Sequence, residues 1–242
     1  MASLAVIRAQ VESRLPGALT VYERSAPEVF PTGIAALDQQ IRGIPQGALT
    51  QIHAAQGISS GKTALLVSLM AQLTQREQFC ALVDASDCFD PASAEAAGVN
   101  LARVLWVRCG ARQRLQPLEQ AFKAADILAQ NGGFGLIAVD LGNVEEKLVR
   151  KVPLTTWFRF ARVVEKMPAA LVFLMPCPAA QSCAGLTLRL ACAEPCWTGQ
   201  GKISHAQLLA QLRCEVEVGR SRMRKPVQSA VRPKFAATPV WA

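Results

Sequence analysis

The sequence predicts an α/β domain in which a mostly parallel sheet lies between layers of helices and gains an antiparallel extension toward its C-terminal end. Three observations carry that prediction. Short, nearly continuous apolar runs at 48–53, 79–84, 104–107, 136–140 and 170–175 read as strands buried on both faces. Helical stretches separate them, which makes parallel crossovers the natural connection. After Gly185 the character changes: 186–191 and 211–218 alternate polar and apolar residues, as antiparallel strands do.

The elements follow in order. Leu4, Ile7, Val11 and Leu15 recur at helical spacing, with Arg8, Glu12 and Arg14 between them, so residues 1–16 form an amphipathic helix. Such a helix either docks on a neighbouring subunit or folds back on its own core. A Pro-containing linker at 26–31 leads to a short helix at 32–38 that Thr32 would cap, and 43–47 is a turn. The first core strand, 48–53, runs into a loop and then a helix at 64–76. In the helix at 117–130, Leu118, Ala121, Phe122, Ala125, Ile127 and Leu128 are expected to face inward. With no internal repeat, the chain divides into an N-terminal helical arm and linker (1–30), one core domain (31–218) and a basic C-terminal tail (219–242).

Composition narrows the function classes. The chain has 242 residues, 51% of them hydrophobic, enough for one well-buried core. No apolar run is long enough to span a bilayer and residues 1–16 do not read as a secretory signal, so a cytoplasmic protein without a membrane role is expected. Eight cysteines are scattered over apolar segments, which suits buried reduced thiols. Cys177, Cys183, Cys192 and Cys196 do not have zinc-ribbon or zinc-finger spacing. The net charge of +8 is concentrated late. No acidic residue follows Glu217, whereas Arg220, Arg222, Arg224, Lys225, Arg232 and Lys234 do. That tail either meets nucleic acid or an acidic protein surface, or is simply solvated.

Ser59-Ser60-Gly61-Lys62-Thr63, placed between a strand and a helix, reads as a phosphate-binding loop. Backbone N–H groups at the helix start attract phosphate, Lys62 reaches the terminal phosphates, and the Thr63 hydroxyl holds magnesium. The loop departs from consensus: Gln56 stands where a glycine is usual, and the nearest is Gly57. Asp140, ending the apolar run 136–140, either supports the magnesium shell opposite Thr63 or caps the helix that follows from Val144. Nucleotide-binding candidates are therefore Gly57, Ser60, Gly61, Lys62, Thr63 and Asp140, with Thr63 and Asp140 as the metal ligands. Trp157, Phe158 and Phe160 beside Arg159 and Arg162 invite a base-stacking role, but helical spacing places some of them in the core. His53 and His205 receive no role.

The series Thr32-Gly33, Leu37-Asp38, 43–47, Ser59-Ser60-Gly61-Lys62-Thr63, Val83-Asp84-Ala85, Phe89-Asp90-Pro91 and Ala97-Gly98-Val99 resembles the ATPase core of bacterial RecA recombinases. The resemblance runs from about residue 30 to 226, where Arg220, Ser221, Arg222 and Pro226 are similar to a late basic strand. Within that superfamily, Leu105-Trp106-Val107-Arg108-Cys109, Gly132-Gly133-Phe134-Gly135 and residues 156–162 resemble the ImuA family of RecA-like accessory mutagenesis proteins. The resemblance implies a RecA-like phosphate-loop core with ATP and magnesium as cofactors. It also matches Arg220 and Arg222 to positions that reach a neighbour's ATP across a subunit interface. Here they bind phosphate, contact DNA or belong to a solvated basic strand, and with Arg224 and Lys225 of the basic tail they are the candidate contacts to DNA or a partner.

Departures from the RecA pattern matter as much. The family's water-orienting Glu is replaced by Ser86, with Asp87 one residue out of phase. The residue that stacks the adenine is replaced by Ser93, and the glutamine sensor falls near Met175-Pro176. Without a water-orienting carboxylate little or no ATPase is expected, and no catalytic residue is assigned. The resemblance therefore implies an accessory protein of damage-induced translesion DNA synthesis. Its implied partners are ImuB, an inactive Y-family polymerase homologue, and an error-prone C-family polymerase, with RecA, DNA and a second copy as further candidates. The competing reading is an active DNA-dependent ATPase that forms filaments. A cell-division inhibitor of the SulA type is disfavoured, because those RecA-like proteins lack a phosphate loop.

Overall fold

The computed structural model describes residues 3–16, 27–54, 60–110, 116–199, 207–221 and 232–238. Helix α1 (Leu4–Arg14) begins at Ser3, whose hydroxyl accepts the Ala5 N–H, and it buries no residue; Leu4, Val6, Ile7 and Leu15 are exposed. Strands β1 (Val29–Phe30) and β2 (Ile44–Pro45) form a small antiparallel pair around α2 (Ala35–Ile41). Helix α2 starts later than the sequence suggests, and Thr32 is not its cap. The reason is Asp38, whose carboxylate takes the Thr32 N–H, the Thr32 hydroxyl and the Gly33 N–H, tying the entry segment into a turn. The turn puts Gly33 at φ +81°, a conformation glycine adopts without strain.

The core alternates strand and helix. It comprises β3 (Ala48–Ala54), α3 (Lys62–Gln75), β4 (Cys80–Asp84), α4 (Pro91–Ala96), β5 (Val104–Arg108), α5 (Pro117–Asn131), β6 (Leu136–Asp140), α6 (Glu146–Arg150), α7 (Leu154–Val164) and β7 (Ala170–Met175). Then come β8 (Leu186–Trp197), β9 (Leu209–Ser221) and β10 (Lys234–Ala237). One eight-stranded sheet results, in the order β10-β9-β8-β3-β7-β6-β4-β5. Strands β3 to β8 are mutually parallel, and the antiparallel extension begins at β9. The sheet runs beyond residue 218: β9 continues to Ser221, and β10, from the basic segment, pairs with β9.

Two apolar layers cover the sheet. On one side Leu65, Leu66, Leu69 and Met70 of α3 meet Leu82, Ala138, Val172, Leu188 and Leu190. On the other, Ala121 and Ala125 of α5 and Trp157 and Phe160 of α7 meet Val83, Val139, Leu171 and Phe173. Every residue of β4 and β7 is buried, which explains why their sequences are apolar without alternation. Ile127, expected inward, is 61% exposed, because the buried face of α5 runs through Ala121, Ala125 and Leu128 and leaves 127 on the far side. Trp157 and Phe160 are fully buried while Phe158 is exposed, so α7 spends its two inward aromatics on the core.

A nucleotide-type site at the carboxyl ends of the strands

Between β3 and β4 the chain crosses over β7 and β6, so the strand order reverses beside β3 and leaves a crevice at the carboxyl ends of the strands. Ala54, Asp84, Asp140 and Met175 end the four strands that border it. Helix α3 starts there, with Gly61 as its N-cap in the left-handed region at φ +78°. Among the described residues no side chain caps this helix, and its first turn has no acidic residue. The N–H groups at its start and the helix dipole therefore favour an anion.

Lys62 extends across the strand ends and donates to the Met175 carbonyl at 3.3 Å. Burial lowers its pKa, and the Asp140 charge partly restores it. Asp140 sits on the neighbouring strand and accepts the Gly142 N–H at 2.8 Å. Burial raises its carboxyl pKa, and the nearby Asp84 adds to the rise, against the Gly142 N–H and Lys62. Asp140 does not cap the next helix: α6 starts at Glu146 after Glu145. Ser60 is buried, whereas Thr63 is exposed and lines a groove of about 710 Å³. Gly57 lies outside the described residues, as do Arg222, Arg224, Lys225 and His205.

These residues fit a magnesium–nucleotide. A phosphate would take the α3 N–H groups and Lys62, and the Thr63 hydroxyl and Asp140 are the residues that would hold the ion. Magnesium commonly binds through one or two carboxylates plus substrate phosphates rather than a protein cage. Consistent with that, the described residues contain no cluster of three His, Cys, Asp or Glu able to hold a metal alone. The groove continues past Ile34, Val67, Phe89, Ala94 and Phe235, apolar walls suited to a planar base. Ser93, at the place of the family's stacking ring, instead donates to Asp90, the N-cap of α4.

The acidic side chains near the crevice are committed elsewhere. Asp84 is buried and accepts the backbone N–H groups of Ser86 and Phe89, so it shapes its own loop. Asp87 makes a two-pronged ion pair with Arg108 on β5, at 2.6 and 2.7 Å, which holds its carboxyl below the usual range. Its φ of +53° lies in the left-handed region. Arg220 is in register with Thr187, which lies on the sheet face away from α3 and bonds Gln51. The structure therefore brings Lys62 and Asp140 together beside the start of α3, where Ser60, Gly61 and Thr63 are its chain neighbours, and sets Arg220 on the opposite face. His53, on that same face, has its pKa lowered by burial and by Arg189 and Lys62.

Sequence reasoning missed what holds the loop from outside. A Cβ on Gly61 would stand 2.4 Å from the Cys214 sulfur and 3.1 Å from the Phe235 ring, so β9 and β10 close against the start of α3. No local signal could reveal a contact between residues so distant in the chain. Gly61→Ala is therefore expected to destabilise the protein by about 2–4 kcal/mol, from left-handed strain plus overpacking. Chemical denaturation measures it, and adding Cys214→Ala should restore the steric part but not the strain.

Asp140→Asn should separate stability from binding. Because the folded carboxyl has a raised pKa, the unfolded chain releases that proton first. Folding is then penalised as pH rises through the ordinary carboxylate range to the raised value, and fully penalised above it. The variant should melt at a higher temperature than the parent at pH 7 and at the same temperature in strong acid. It should also lose the magnesium dependence of nucleotide binding.

Comparison with known proteins agrees with this fold. The family model described as RecA N-terminal domain matches residues 17–148, more than half of the chain. The chain is 36% identical to Protein RecA of Methylococcus capsulatus over 115 residues, 47% of this chain and 31% of that protein. It is 30% identical to Protein RecA of Desulfotalea psychrophila over 164 residues, 60% of this chain and 43% of that protein. Protein RecA of Thermus thermophilus is 35% identical over 115 residues. The matches span about a third to under half the length of these relatives.

Proposed function

The chain belongs to the RecA N-terminal domain family, and from that premise we propose that it is a nucleotide-binding, weakly hydrolysing accessory protein of DNA-damage tolerance. One observation carries this reading. Lys62 and Asp140 stand together beside the start of α3, while the place of a water-orienting carboxylate is taken by Ser86 and the adjacent Asp87 is locked to Arg108. Phosphoryl transfer to water depends on positioning that water, so a site without the carboxylate binds far better than it turns over.

Within the family, the residues at 105–109, 132–135 and 156–162 support the ImuA type of accessory mutagenesis protein. On this reading the partners are an ImuB-type polymerase homologue and an error-prone C-family DNA polymerase, with RecA and DNA as further contacts. The uncovered apolar side of α1 supports docking on a second chain, since none of its residues is buried in its own. Arg220 and the basic residues after it would then meet DNA backbone or an acidic partner. Among the described residues, no helix is long and apolar enough to cross a membrane.

Phosphate release from ATP by the purified protein, with and without single-stranded DNA, tests the proposal. Little turnover in both conditions, alongside saturable binding of a fluorescent ATP analogue, is expected. Fast turnover that requires DNA would instead establish a filament-forming ATPase and overturn the accessory reading.

A further inference from the structure

Cys192 of β8 and Cys214 of β9 are direct partners in the antiparallel register, and both thiols are free. Opposed residues in such a pair share one face and have Cα atoms about 4.5–5.5 Å apart, inside the span a disulfide bridges. Their common face is the α3 side. Leu186, Leu188 and Leu190 lead to Cys192 with a period of two, and Val216 leads to Cys214, all on the core layer beneath α3.

The pair also lies beside the start of α3. The last residue of β3, Ala54, is in register with Leu190, so Cys192 stands two residues further along β8 than the end of β3. The Cys214 sulfur abuts Gly61, the N-cap of that helix. Exposure differs usefully between the two: Cys192 is half-buried and within reach of a small oxidant, and Cys214 is buried. A β-bulge follows Cys192 at once, giving the bridge local freedom to close.

We propose that Cys192 and Cys214 form a reversible cross-strand disulfide that draws the Cys214 sulfur off Gly61 and weakens phosphate binding at the start of α3. The oxidant is hydrogen peroxide. The Cys192 sulfur attacks the peroxide oxygen, the O–O bond breaks, and one water leaves as the sulfenic acid forms. The Cys214 thiol then attacks that sulfur, the S–O bond breaks, and a second water carries away the thiol proton. A dithiol reverses the bond by exchange. Pairs of this kind in reducing compartments are typically transient and regulatory rather than structural.

The test treats the full chain with hydrogen peroxide and maps its peptides without reduction. A Cys192–Cys214 linked peptide is expected, absent in Cys192→Ser and released by dithiothreitol. Affinity for a fluorescent ATP analogue should fall about tenfold on oxidation of the parent and stay unchanged in the peroxide-treated Cys192→Ser protein. Absence of the linked peptide, or pairing of Cys192 with a different thiol such as the exposed Cys88, overturns the proposal. So does a linked protein that binds the analogue as the reduced one does. The affinity arm rests on the nucleotide-binding reading above: a reduced protein that binds no analogue refutes that reading, whereas peptide mapping decides the disulfide independently.

Discussion

Lys62→Ala is expected to weaken binding of an ATP analogue roughly 10- to 100-fold, the worth of one or two hydrogen bonds to a charged group. Fold and stability should change little. Among the described residues the Lys62 ammonium donates to the Met175 carbonyl at 3.3 Å, and its charge is already disfavoured by burial. The substitution also removes the positive group that lowers the Asp140 pKa, so the variant carboxyl should titrate at still higher pH. Equilibrium titration and thermal melting measure the two arms. The consequence for function divides the readings: an accessory protein keeps contacts that do not need nucleotide, while a DNA-dependent ATPase loses turnover altogether. Unchanged affinity in the variant would mean that the α3 N-terminus is a relic of shape without a ligand.

How far the chain could be read before its fold was known depends on where each determinant lies. Strands β4, β6 and β7 are nearly or wholly buried, so their own apolar runs announce them. The start of α3 was equally legible, because Gly61, Lys62 and Thr63 lead directly into an apolar helical run. Errors arose where a distant group decides the outcome. Helix α2 starts at Ala35 because Asp38 reaches back to Thr32, which overrides the cap preference of that threonine. Asp140 faces Lys62 and the Gly142 N–H rather than a helix start, a choice made by the sheet order. Strand β10 is four residues of weak pattern, Lys234–Ala237, and it exists because β9 offers an edge to pair with. Its Phe235 then reaches Gly61, so a loop that looked self-contained is braced by the last strand of the sheet.

The largest loss of stability is expected at Trp157. Its indole is fully buried and meets Phe122 at 5.5 Å and Phe173 at 5.2 Å, both edge-on, in the favoured geometry for aromatic pairs. Phe160 packs on the same Phe173, so one cluster joins α5, α7 and β7. Trp157→Ala opens a cavity that these rings cannot close, and should cost about 3–5 kcal/mol by chemical denaturation. Trp157→Phe should cost much less, since the indole N–H has no hydrogen-bond partner among the described residues to lose. Phe158→Ala provides the contrast: that ring is 45% exposed, and its removal should move stability by less than about 0.5 kcal/mol. A base-stacking role for Trp157 demands the reverse pattern, weakened binding to single-stranded DNA with stability intact. Loss of DNA affinity confined to Phe158→Ala would move that role to the exposed ring and leave Trp157 as core.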